Sequence, residues 1–161
     1  MEEILLGIGD IGVSSDGRPV RTQGLGSCVA VSLWSPGAKT AGVVQIALPE
    51  SRINPEKGEE KPGYFADTGI PALIAAMKER GCKISAKKAE VKILGGAQVM
   101  NSNDVFNVGE HNVAAVRRVL SDQGLGVTAE EVGGNTSITV TVYPKTGEVW
   151  VSSPSQPAWT I

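Results

Sequence analysis

The sequence is short of the residues that most often carry catalysis. It holds one histidine and two cysteines in 161 residues. One histidine cannot anchor a His-rich zinc site. Two cysteines cannot build a disulfide framework, and these two form no CxxC pair. Basic residues do not outnumber acidic ones: 15 Lys and Arg stand against 17 Asp and Glu, a net charge of −2. That balance excludes the basic footprint of a nucleic-acid binder. No apolar run approaches the ~20 residues that span a bilayer, so membrane insertion is not expected. Residues 1–12 start acidic and carry only a short apolar stretch, unlike a signal peptide. The expected compartment is the cytoplasm, where thiols stay reduced. Asp104, Glu130 and Glu131 lack metal-ligand spacing. No metal and no cofactor is implied.

What is present suits one globular domain. Apolar residues make up 41% of the chain, enough to bury a core without staples. No boundary interrupts the sequence, so residues 1–161 read as one domain. The first third reads as β: residues 4–8, 29–34 and 41–48 are apolar runs separated by turn signals at 14–17 and 35–37. Continuous runs without alternation suggest strands covered on both faces. Residues 50–63 (ESRINPEKGEEKPG) are polar, charged and expected to form an unpacked loop. A helix follows, with Asp67 or Thr68 as its cap, Pro71 in its first turn and Gly81 as its stop. Ile70, Leu73, Ile74 and Met77 share one face of it. Residues 88–94 alternate like a strand and end at Gly95 and Gly96. Residues 109–123 read as a second helix, with Val113, Val116 and Leu120 inside and Gly124 as its stop. Residues 127–132 return as a strand before Gly133 and Gly134. Residues 137–142 and 148–151 read as a hairpin around a turn at 145–147. Residues 152–161 read as an irregular tail.

The sharpest local feature is GLGSC at 24–28. Gly24 and Gly26 let the backbone turn tightly, Ser27 follows, and Cys28 stands at the start of a strand. A thiol there can face a cleft, and nearby backbone N–H groups can form an oxyanion hole. The same cysteine can equally be a small buried apolar residue. Cys82 shows no activating surroundings. His111 is the only imidazole available for a Cys–His dyad with Cys28. Yet Glu110, His111 and Asn112 read as first-turn, solvent-facing residues of the second helix, which argues against that dyad. Gln45 interrupts an apolar strand, and a buried glutamine must find hydrogen-bond partners or cost stability. It is either a satisfied structural amide or part of a site. The Gly pairs at 95–96 and 133–134 fit no P-loop and no GxGxxG. Trp34, Trp150 and Trp159 suit core or edge packing.

From Thr22 through GLGSC to VAV at 29–31, the sequence resembles the chemoreceptor glutamine deamidases, the CheD family of bacterial chemotaxis. Further blocks follow in the same order. They are Leu48-Pro49, YFADT at 64–68, LGGA at 94–97, NVG at 107–109, Asn112-Val113, GGN at 133–135 and KTG at 145–147. The resemblance implies an α+β fold: mixed β-sheets with two main helices packed outside, as in the deamidase domain of cytotoxic necrotizing factor toxins. It implies hydrolysis of glutamine side chains of methyl-accepting chemotaxis receptors to glutamate through a Cys thioester. It also implies binding to a CheC-type phosphatase. It gives the catalytic cysteine as Cys28 and the catalytic threonine as Thr22, with Gly24, Gly26 and Ser27 as the substrate and oxyanion loop. The family's catalytic histidine falls at Gln45. The family's Arg after the GGN block is absent here, where Thr136 to Thr139 follow. Two consequences are carried forward: a deamidase slowed at position 45, or an adaptor that binds phosphatase or receptor helices through the same cleft. A cysteine hydrolase of other specificity, built on Cys28 and His111, is a third.

Overall fold

The apolar runs at 29–34 and 41–48 lack alternation because both faces of these strands are covered. The computed structural model describes residues 2–98 and 107–161. In chain order its strands are β1 (Ile4–Leu6), β2 (Ile11–Ser14), β3 (Val20–Thr22), β4 (Val29–Ser35) and β5 (Thr40–Ile46). They continue with β6 (Glu90–Gly95), β7 (Ala129–Val132), β8 (Thr139–Val142), β9 (Val149–Ser153) and β10 (Gln156–Thr160). Helix α1 (Pro55–Glu60) is short; α2 (Ala66–Glu79) and α3 (Val108–Asp122) are the main helices. One sheet has the order β2-β5-β4-β6-β7 and the other β1-β3-β8-β9-β10. Each is mixed: β6–β7 and β1–β3 are parallel, and the remaining pairs antiparallel. The fold is α+β.

Successive residues of a strand face opposite sides. Val29, Val31, Leu33, Val44, Ile46, Val91 and Ile93 therefore enter one core with Ile70, Leu73 and Met77 of α2 and Val116 and Leu120 of α3. Ala30, Ala41, Val43 and Leu94 enter a second core with Leu6, Val20, Val140, Val142, Val149 and Val151 of the other sheet. The β4-centred sheet is thus the middle layer, helices on one face and the second sheet on the other. Each fully buried Leu, Ile or Val in it contributes about 1.5–3 kcal/mol.

Four expectations need correction. The charged segment 50–63 is ordered, as a 3₁₀ turn at Ser51–Ile53, helix α1, and a 3₁₀ turn from Pro62 to Tyr64. Asn54 caps α1 by accepting from Lys57 N at 3.2 Å, with Pro55 in its first turn. The segment's end is docked through backbone: the carbonyl oxygen of Tyr64, the residue after it, accepts from Ala47 N and Leu48 N at 2.9 and 3.1 Å. A count of apolar side chains cannot register that. Helix α2 begins at Ala66, so Asp67 and Thr68 do not cap it. Asp67 accepts instead from Ser51 N and Oγ, and Thr68 Oγ1 donates to Pro62 O. Pro71 lies beyond the first turn, where it omits the bond to the Asp67 carbonyl. Finally, the tail is not irregular. β10 pairs antiparallel with β9 across a register shift. Lys92 Nζ donates to Ile161 O at 2.8 Å, and Trp159 Nε1 to Glu131 Oε1 at 2.9 Å. Pro157 is tolerated because β10 is an edge strand.

The packing of residues 50–63 can be checked at Gly63. A Cβ there would strike the Gly9 carbonyl oxygen, with Val44 Cγ2 at 3.1 Å behind it. Both obstacles belong to a backbone and a core strand that cannot swing aside. Gly63→Ala is expected to cost about 1–3 kcal/mol in denaturant unfolding, the range of overpacked cores. An unpacked loop would tolerate it without loss.

Candidate active site

The loop 24–28 carries the chain from the outer sheet into β4. Leu25 is its anchor: fully buried, and joined to Ile138 by reciprocal backbone bonds of 2.6 and 3.2 Å. Beyond it three successive carbonyls are each engaged. Gly26 O accepts from Ala97 N at 2.8 Å, Ser27 O from Asn112 Nδ2 at 2.9 Å, and Cys28 O from Gly96 N at 2.8 Å. The Gly95–Gly96 pair makes this possible. Both residues have positive φ, and a Cβ on Gly95 would collide with the Cys28 carbonyl. The pair cradles protein backbone.

Cys28 is half-buried and faces the core between the sheets. Ala30 pairs with Gln45 in the β4–β5 register. Cys28, two residues before Ala30 on the same face, is therefore a diagonal neighbour of Gln45, within reach of a long side chain. Burial pushes the Cys28 thiol above its ordinary pKa, and a hydrogen bond with the Gln45 side chain partly offsets this. Gln45 itself is buried, and its Oε1 has no hydrogen-bond partner among the described residues. An unpaired buried acceptor costs about 1–3 kcal/mol. Gln45 is therefore not a fully satisfied structural amide.

Thr22 lies across the sandwich, at the end of β3 and buried. Its Oγ1 accepts from Val140 N at 3.1 Å, so the hydroxyl oxygen is engaged with β8. Gly24 stands in open space, with nothing near the position of a Cβ. His111 is exposed on α3, where it borders a groove with Pro49, Glu50 and Arg118. It makes no side-chain hydrogen bond to Cys28. Cys82 is a buried free thiol in the helix-side core. Trp34 and Trp159 are partly buried against the inter-sheet core, while Trp150 is 39% exposed. Among the described residues, no cluster of three or more His, Cys, Asp or Glu could hold a metal. Asp104 lies outside them.

Asn112 is where the expectation from sequence fails. It is not solvent-facing but fully buried, and its Nδ2 donates at 2.9 Å to both Ser27 O and Ala47 O. One amide thus ties the residue before Cys28 to the residue two beyond Gln45. The spacing held the signal: Asn112 precedes Ala115, Val116, Val119 and Leu120 by three, four, seven and eight positions, the buried stripe of α3. Its polarity concealed it.

Beside the loop an open groove is lined by Gly95, Glu131, Asn135, Thr136, Ile138 and Trp159, among others. Gly95 and Ile138 are the backbone neighbours of Cys28 and Leu25, so the groove adjoins the thiol loop.

A family model described as CheD chemotactic sensory transduction matches residues 47–153. Cys28, Thr22 and Gln45 precede that match, but longer alignments cover them. A probable chemoreceptor glutamine deamidase CheD of Syntrophotalea carbinolica is 49% identical over 162 aligned residues, covering all of both chains. A second such protein, from Anaeromyxobacter dehalogenans, is 41% identical over 98% of this chain and 99% of its own. The chemoreceptor glutamine deamidase CheD of Bacillus licheniformis is 35% identical over 98% of this chain and 94% of its own.

Proposed function

The chain belongs to the CheD family, and from that premise we propose that it is a chemoreceptor glutamine deamidase. Its substrates on this reading are glutamine side chains of methyl-accepting chemotaxis receptors, hydrolysed to glutamate. The observation that carries the reading is the 49% identity to a relative of that name along the whole chain, the Cys28 loop included. The Cys28 thiolate attacks the carboxamide carbon, and the carbonyl oxygen becomes an oxyanion that backbone N–H groups can hold. The C–N bond breaks, and the nitrogen takes a proton and leaves as ammonia. Water then cleaves the thioester, giving glutamate and the free thiol.

Gln45 sets the pace of this sequence. A neutral amide can hydrogen-bond the sulfur but cannot take and return a proton near neutral pH. The thiol beside it is held above its ordinary pKa by burial. Together these favour a slow enzyme, and they also support a second reading: an adaptor that holds receptor helices or a CheC-type phosphatase through the same surface. The toxin-like topology implied by the family resemblance belongs to this proposal too.

Incubation with a receptor cytoplasmic fragment separates the two. A deamidase produces the mass gain of Gln-to-Glu conversion at particular positions, with release of ammonia. Binding without any mass change at long times refutes the enzyme. The third reading has its own check. His111→Ala is expected to leave the deamidation rate unchanged, and a lost activity would restore the Cys28–His111 dyad.

A further inference from the structure

The Cys28 loop spends its carbonyls on one side and keeps its amides for the other. A trans peptide unit is planar, with its C=O and N–H pointing in opposite directions. Holding an oxygen therefore aims the next residue's N–H. Gly26 O is held by Ala97 N, which aims Ser27 N–H. Ser27 O is held by Asn112 Nδ2, which aims Cys28 N–H. Neither N–H donates to an acceptor among the described residues. Both anchors sit on the α3 side: Gly109 of α3 lies so close to Ala97 O and Gly96 O that a Cβ would come within 2.5–2.6 Å of them. The two N–H groups accordingly face away from α3, as does Cys28, which packs against the inter-sheet core.

The two donors differ in how they are fixed. Ser27 N–H is fixed by backbone alone, through the bond from Ala97 N to Gly26 O. Cys28 N–H depends on a side chain, and that side chain is oriented by its donor end only. Asn112 Oδ1 is buried and has no partner among the described residues. The amide is thus committed to the two carbonyls it grips, Ser27 O and Ala47 O.

We infer that Asn112 is a positioning residue for acyl transfer: by gripping the Ser27 carbonyl it aims the Cys28 N–H at the oxyanion that forms when the thiol attacks. This rests on the reading of Cys28 as nucleophile. It adds a residue that contacts neither substrate nor sulfur.

Two small reagents test it on the intact protein. Acetyl transfer from 4-nitrophenyl acetate to Cys28 passes through a tetrahedral oxyanion. Alkylation by iodoacetamide displaces iodide and forms none. Mass spectrometry locates both adducts at Cys28, since Cys82 is buried. Asn112→Ala is expected to slow acylation by roughly 10- to 100-fold. That is somewhat less than outright deletion of a donor, because the N–H remains but is no longer aimed. Alkylation and its pH profile are expected to stay as in the parent. Asn112→Asp keeps the volume and loses the amide donor, and it serves if the alanine variant does not fold. Unchanged acylation overturns the inference. So does an equal fall in both reactions, which would mean general collapse of the loop, and so does a parent that alkylates but never acylates. A parent that acylates normally yet hydrolyses no receptor glutamine refutes the deamidase reading and leaves the role of Asn112 standing.

Discussion

Replacing Cys28 by alanine is expected to reduce glutamine hydrolysis below detection while leaving the fold in place. No other thiol can substitute: Cys82 is 2% exposed and sits among α2, α3 and the middle sheet. Cys28→Ser should fail as well. A serine hydroxyl needs a base to become a nucleophile, and the diagonal neighbour Gln45 is not one. Loss of an attacking residue costs as much as loss of the whole catalytic group it works with, so a fall of more than about 10³-fold is expected. The structural cost is small, because Cys28 is only half-buried and its loop is held by carbonyl contacts that alanine keeps. Deamidation by mass spectrometry and unfolding by denaturant read the two effects separately. Turnover retained in Cys28→Ala would remove Cys28 from the mechanism. Binding retained without turnover would give the trapped receptor complex that an adaptor reading also anticipates.

The readable parts of this chain were those where chemistry and geometry coincide. β4 and β5 could be read from composition because their two faces enter two different cores. α2 and α3 could be read from the spacing of Ile70, Leu73, Met77, Val116 and Leu120. The segments that escaped are held by backbone or by a single long side chain. β2 contains a glycine, β3 is three residues long with an exposed Arg21, and β10 begins Gln-Pro. Their pairing comes from register with neighbours distant in sequence, which local pattern does not record. The site divides the same way. The glycine-rich loop announced Cys28, and the family resemblance put Gln45 beside it. The Gly95–Gly96 pair reads as a strand break, and its use as the seat of the Cys28 carbonyl arises only when β6 lies beside β4. Asn112 is the instructive miss: helical spacing placed it inside, and its polarity argued it outside.

Gln45→His is the change expected to raise activity most. Position 45 is buried on the inter-sheet face, diagonal to Cys28. A histidine there fills a similar volume and is within reach of the thiol. What it adds is charge and a proton. As imidazolium it stabilises the thiolate, the effect that lowers reactive thiols to about 3.5–7.5. It can then protonate the departing nitrogen and accept the proton of the attacking water. General acid–base catalysis of this kind typically contributes 10²–10⁴-fold. Burial works against the charged imidazole, but the thiolate beside it offsets that penalty. The pH dependence gives the sign. In the parent, burial raises the thiol pKa, so the thiolate is the minor form near neutrality and the rate climbs as pH rises toward that pKa. In Gln45→His the rise should move to lower pH and the plateau should extend through neutrality. Iodoacetamide alkylation of Cys28 should show the same displacement, because it too needs the thiolate. A faster rate with no displacement would mean that histidine acts only as a proton carrier. An unchanged rate with an unchanged profile would mean that position 45 does not face the reacting atoms, and the proposal that Gln45 slows turnover would fall.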